Sequence, residues 1–125
     1  MSREGSRSFQ WLVLALVLLH ILPIWLFEYI PTQDGPCHLE TAYTFSHYSD
    51  AGSEYSRYYV RNIAPVPSWI SHLLLGGSMR ILAPRVAEKV LLTIYVFLFV
   101  GAVHYLLSAV DRRKTFYVLA GFPFI

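Results

Sequence analysis

Charge is scarce in this sequence. Of its 125 residues only 14% are Asp, Glu, Lys or Arg, against 55% that are apolar. A soluble domain carries about a quarter charged residues, because its surface has to be solvated. The shortage is uneven, with long stretches that hold no charge at all. Net charge is +2 and no basic stripe runs along the chain, which excludes an electrostatic footprint for nucleic acid. Cysteine is almost missing too. Cys37 stands alone, so an intrachain disulfide and a cysteine-based metal cluster are both excluded. Internal repeats and low-complexity tracts are also lacking.

What fills the space is apolar sequence, with a mean hydropathy of +0.45. Residues 11–30, WLVLALVLLHILPIWLFEYI, supply the roughly 20 positions an α-helix needs to cross a hydrocarbon core. The ten residues before them carry Arg3 and Arg7 against Glu4. The run is too long for the core of a secretory signal, and no small-x-small cleavage site comes after it. It reads as an uncleaved anchor, with residues 1–10 cytoplasmic by the positive-inside rule. His20 falls near mid-membrane, where an imidazole is expected to bond a neighbouring helix, and Pro23 should kink the segment.

Residues 31–86 read as an extracytoplasmic loop. The first part holds four acids, two arginines and five tyrosines. That is too polar to span and too aromatic for a disordered linker. Asp34-Gly35-Pro36 is a turn leading into a helix over about 37–48, with Asp34 as its cap. A short helix around 55–61 comes next, and Pro65 and Pro67 then break the chain. Within 66–83, Ser68, Ser71, His72, Gly76, Ser78 and Arg80 share one side of a helical wheel. Trp69, Ile70, Leu73, Leu74, Gly77 and Ile81 share the other. That pattern suits a helix lying in the interface, with a marginal span as the alternative.

Residues 87–110 form the second expected span, succeeded by the basic loop 111–114, Asp-Arg-Arg-Lys. An interfacial 66–83 makes that loop cytoplasmic, in keeping with the positive-inside rule. Residues 115–125, TFYVLAGFPFI, read as the start of a third span, about 16 Å of helix or half a bilayer. The fold class expected is an all-α membrane protein, with transmembrane helices and an outer-face helical loop, cut within its third span.

The chemistry-bearing residues gather in the outer loop. Asp34 lies a few positions after the first apolar run, and a carboxylate at that depth can deprotonate an acceptor hydroxyl or help hold a divalent cation. The competing reading makes Asp34 a helix cap and turn residue and no more. His38 and Glu40 belong to the same expected helix, and Glu40 has Arg57 or Arg61 as its expected partner.

The layout resembles the start of a GT-C glycosyltransferase: a cytoplasmic N-terminus, one span, an outer loop opening with an acid, a proline-led amphipathic helix, then a span ending in basic residues. Protein O-mannosyltransferases and lipid A aminoarabinose transferases share it. The string PTQDGPCHLETA is also similar to a group of bacterial multi-spanning proteins with a Gln-Asp-Gly-Pro-x-His-Leu loop. The resemblance implies transfer of a sugar from a polyprenyl-phosphate donor at the outer face of a bacterial plasma membrane. It implies Asp34 as the catalytic carboxylate, His38, Glu40, Arg57 and Arg61 as substrate-binding residues, and a divalent cation as the cofactor to look for. Those enzymes often carry Asp-Glu in tandem, where this chain has Asp34-Gly35. The partners implied are the lipid-linked donor and membrane lipid, and the present stretch alone is expected to be inactive. A transporter using His20 and His104, or a non-catalytic multi-spanning protein, is the alternative.

Overall fold

The computed structural model describes residues 3–30, 32–64 and 67–125, and every regular element among them is a helix. In chain order these are α1 (Arg3–Leu26), α2 (Gly35–Ser46), α3 (Tyr55–Tyr58), α4 (Trp69–Ser78), α5 (Pro84–Val110) and a 3₁₀ helix, Arg112–Phe124. They divide into two compact units, Met1–Glu28 with Leu92–Ile125, and Tyr29–Leu91.

The first unit is built from α1, most of α5 and the 3₁₀ helix. α1 begins well before the apolar run, because Arg3–Gln10 contains no proline and its one glycine, Gly5, is too weak a breaker to stop it. It ends at Leu26, ahead of Pro31, with the Phe27 amide closing the last turn on the Pro23 carbonyl at 3.2 Å. α5 opens on Pro84, where proline's fixed φ and missing N–H are tolerated. Val17, Val96, Val100, Val118 and Phe122 form a buried core, flanked on α1 by Val13, Leu16, Ile21 and Ile24 at helical spacing. The indole N–H of Trp25 donates to Thr93 Oγ1 at 3.0 Å. His20 bonds the Leu16 carbonyl of its own helix at 2.8 Å, rather than a neighbouring helix as expected, and its ring lies 5.2 Å from that of Phe122. The 3₁₀ helix replaces the α-helical start expected over 115–125, and it brings Val118 and Phe122 into the core.

α1 over Arg7–Leu26 and α5 over Pro84–Val110 are both long and apolar enough to cross a membrane, and only 6% and 11% of their apolar windows are buried within the molecule. Leu18, Leu19, Leu22, Leu98 and Leu106 are all more than half exposed.

The second unit centres on α2 against α4. α2 starts at Gly35, slightly earlier than expected, which puts Asp34 at the N-cap and Pro36 in the first turn. The turn after it bends through Gly52 at φ +87°, a value that favours glycine. α3 is one turn long. α4 has ten residues, about 15 Å of helix or half a hydrocarbon core. Ala42, Leu75, Met79 and Ala87 form the buried core, and Leu39, Leu82 and Leu91 pack around it. The Asp50 carboxylate takes both terminal nitrogens of Arg80, at 2.7 and 3.1 Å, tying the segment after α2 to the residues after α4.

α4 and its C-cap Met79 turn a mixed face inward, with Leu75 and Met79 buried beside Gly76, while Ser68, Ser71 and Arg80 of its polar side are exposed. His72 is half-buried and Gly76 buried, while Ile70, Leu73, Leu74 and Ile81 on the apolar side are exposed. Close approach explains the inward face. A Cβ placed on Gly76 would stand 2.8 Å from the Ala42 carbonyl oxygen, whereas one on Gly77 would meet nothing within 4 Å. The two neighbours should therefore respond in opposite directions. Gly77→Ala should stabilise by up to about 1 kcal/mol through helix propensity. Gly76→Val should destabilise by about 1–3 kcal/mol through overpacking. Thermal unfolding of the detergent-solubilised protein reads both, and equal shifts would contradict the α2–α4 contact.

Candidate functional site

The second unit holds a cavity of about 480 Å³. α2 supplies Glu40, Thr41, Thr44 and Phe45, the turn after it Tyr48, the segment after α3 Tyr59–Asn62, and α4 Trp69, His72 and Leu73. Helical spacing explains the α2 wall, since residues 41, 44 and 45 recur at three and four positions. The segment after α3 is held in place by Tyr48, whose hydroxyl donates to the Tyr59 carbonyl at 3.0 Å.

Arg61 is the cation of this site. Its guanidinium lies 4.4 Å from the Tyr48 ring centre and 5.4 Å from that of Phe45, and it donates to Ser49 Oγ at 3.1 Å. Stacking on two rings fixes its plane and leaves further N–H donors for an anion. Glu40 lines the same cavity, so the site combines one carboxylate, one guanidinium, threonine hydroxyls and aromatic faces. The indole N–H of Trp69 is buried with no hydrogen-bond partner among the described residues, which is uncommon for a buried donor.

Of the residues expected to act, the structure brings Glu40 and Arg61 to one cavity and leaves the others outside its lining. Asp34 is exposed at the N-cap of α2, and its carboxylate makes no capping hydrogen bond to the first turn. The Asp34 carbonyl accepts from the His38 amide at 3.0 Å. His38 reaches the cavity wall indirectly, with its Nδ1 2.8 Å from His72 Nε2. Arg57 is exposed, 4.0 Å from Glu54 and beside the Tyr58 ring, so neither arginine has Glu40 as its ion pair.

His72 is the residue that sequence reasoning undervalues. Burial and the neighbouring His38 both hold it below the usual histidine range. A single histidine 34 positions from its partner leaves no spacing pattern to find. The one hint is its place with Gly76 on the side of α4 that turns inward. Tyr48 and Tyr59 fit an aromatic belt by residue type, and they frame the cavity instead.

The residues do not fit the divalent cation that the resemblance implies. Among the described residues no group of three or more His, Cys, Asp or Glu is placed to hold a metal ion, and Asp34 has Gly35 where a second carboxylate would stand. The chemistry available is that of a carboxylate base, a positioned guanidinium and an aromatic-walled pocket. No family model matches this chain, and neither a curated protein nor a solved structure matches it. Among the described residues every regular element is thus helical, with two helices long and apolar enough to cross a membrane and a polar, aromatic stretch between them in sequence.

Proposed function

We propose that this chain is part of an integral membrane glycosyltransferase of GT-C type, acting on a polyprenyl-phosphate-linked sugar at the outer face of a bacterial plasma membrane. Residues 11–30 and 87–110 are its spans, residues 1–10 and 111–114 are cytoplasmic, and the loop 31–86 is extracytoplasmic. The exposed apolar residues of α4, Ile70, Leu73 and Leu74, rest in the lipid interface. The observation that carries the reading is the carboxylate of Asp34. It sits in the cap position yet bonds none of the amides that a cap would satisfy, so it remains available for chemistry.

In this reading Asp34 accepts the proton of the acceptor hydroxyl as its oxygen bonds the anomeric carbon. The bond from that carbon to the donor phosphate breaks, and the polyprenyl phosphate leaves with the electron pair. Arg61 neutralises the phosphate, Glu40 and the threonine hydroxyls bond the sugar, and His38 and Arg57 contact the donor from outside the cavity. The test compares the full-length protein with its Asp34→Asn variant for glycan product at matched membrane expression. Loss of product is expected, and unchanged product overturns the catalytic assignment.

A further inference from the structure

Two imidazoles meet across the α2–α4 contact. His38 Nδ1 and His72 Nε2 are 2.8 Å apart, with ring centres 5.0 Å apart and planes inclined by 45°. A contact this short between ring nitrogens holds a single proton, one ring donating and the other accepting in either tautomer. A neutral or singly protonated pair satisfies it. A pair with a proton on each facing nitrogen has no acceptor left, and it sets two like charges side by side.

The position gives the pair leverage. His72 lines the cavity with Trp69, and it lies one helical turn before Gly76, the residue that seats α4 on the Ala42 carbonyl. We propose that His38 and His72 form a proton-operated latch: one shared proton holds α4 on α2 and keeps the cavity wall closed, and a second proton parts the rings and opens the wall beside Trp69. That this wall bounds a sugar-phosphate site rests on the proposed function; the latch does not.

The sign comes from the geometry. Burial and the charge of His38 both hold His72 below 6.5, so the contact is intact above that value and is lost as pH falls through the lower one. The groups around the pair are few. Asp34 comes from the N-cap of α2 and Glu40 from α2 itself, Arg61 from the segment after α3, and Glu88 and Lys89 from the first turns of α5, Glu88 lying beside Gly35. His72 is the sole titratable residue of α4. His47, at the end of α2, stacks on Tyr43 with ring centres 4.1 Å apart. The Asp50–Arg80 bond persists through the range, because Arg80 holds the Asp50 carboxyl below 3.8.

The test uses the full-length protein in lipid nanodiscs with Trp11→Phe and Trp25→Phe, and with further tryptophans outside this stretch likewise replaced, so that Trp69 alone reports. Glu88→Gln is added throughout to remove the nearby carboxylate. Between pH 8 and pH 5, iodide quenching of Trp69 should rise in one step with a midpoint below 6.5. His38→Gln and His72→Gln should each flatten that step, since glutamine donates or accepts without titrating, while His47 is common to all samples. A flat response in the parent, or the same step in both variants, overturns the latch. If circular dichroism shows that a variant has lost helix, imidazole ¹⁵N shifts of the parent decide. Two coupled steps support a shared proton, and two independent titrations near 6.5 overturn it. None of these readouts measures sugar transfer, so a failed latch and a failed glycosyltransferase are told apart.

Discussion

Asp34→Asn should lower sugar transfer by about 10²–10⁴-fold, the range that a positioned general base contributes, and leave α2 in place. The second half of that expectation makes the first interpretable. An aspartate that caps a helix through its side chain contributes about 1 kcal/mol, and removing such a cap confounds chemistry with folding. Here the carboxylate is exposed and makes no capping bond, and asparagine serves as well as aspartate at an N-cap. The helix is held from its other side, by Leu39 and Ala42 in the core with Leu75 and Met79. Circular dichroism and unfolding midpoint should therefore be unchanged in the variant, and product formation should fall through kcat. Arg61→Lys should act differently. It keeps the charge but loses the planar stack over Tyr48 and Phe45, so KM for the donor should rise more than kcat falls. If Asp34→Asn changes only KM, the carboxylate positions substrate and the base lies elsewhere.

The sequence discloses its helices more readily than its site, for physical reasons. An apolar run of membrane length is a local property, and residues 11–30 and 87–110 both fall largely within observed helices, α1 and α5. The ends differ because a helix terminus is set by the residues flanking it. Arg3–Gln10 extends α1, and α2 begins at Gly35 once Asp34 takes the cap position. The side of α4 that packs inward can be drawn on a wheel but not oriented. Whether Leu73 or Gly76 meets α2 depends on how close two backbones come, and that is settled by the Ala42 carbonyl more than 30 positions away. The site divides the same way. Glu40 and Arg61 are legible from residue type alone and do line one cavity, but the expected Glu40–arginine pairing gives way to aromatic stacking of Arg61 and the Glu54 contact of Arg57. The bond between His38 and His72 depends wholly on tertiary packing, so neither residue's neighbours in sequence announce it.

Leu98→Arg should lower the ratio of membrane-integrated to extractable protein by roughly 10²-fold. Leu98 lies near the middle of α5 and is 67% exposed. In water, changing an exposed residue outside the packed core shifts stability by no more than about 0.5 kcal/mol. At the centre of a bilayer an arginine costs about 2.5–3.5 kcal/mol on insertion scales, which is where the hundredfold figure comes from. The position is chosen for this contrast. Val96 and Val100 are buried on the packed side of the same helix, and a charge there would be destabilising in either solvent. At Leu98 the molecule itself loses almost no contact, so the penalty reports the surroundings. Leu98→Ala controls for the lost side chain, and Leu19→Arg in α1, where Leu19 is 59% exposed, repeats the experiment on the other apolar helix. Alkaline extraction of membranes from expressing cells measures the ratio. If Leu98→Arg and Leu19→Arg both yield a folded protein in the aqueous phase, α1 and α5 do not cross the membrane. The extracytoplasmic reading of the loop 31–86, and with it that of Asp34 as a base acting on a lipid-linked sugar, would then fall too.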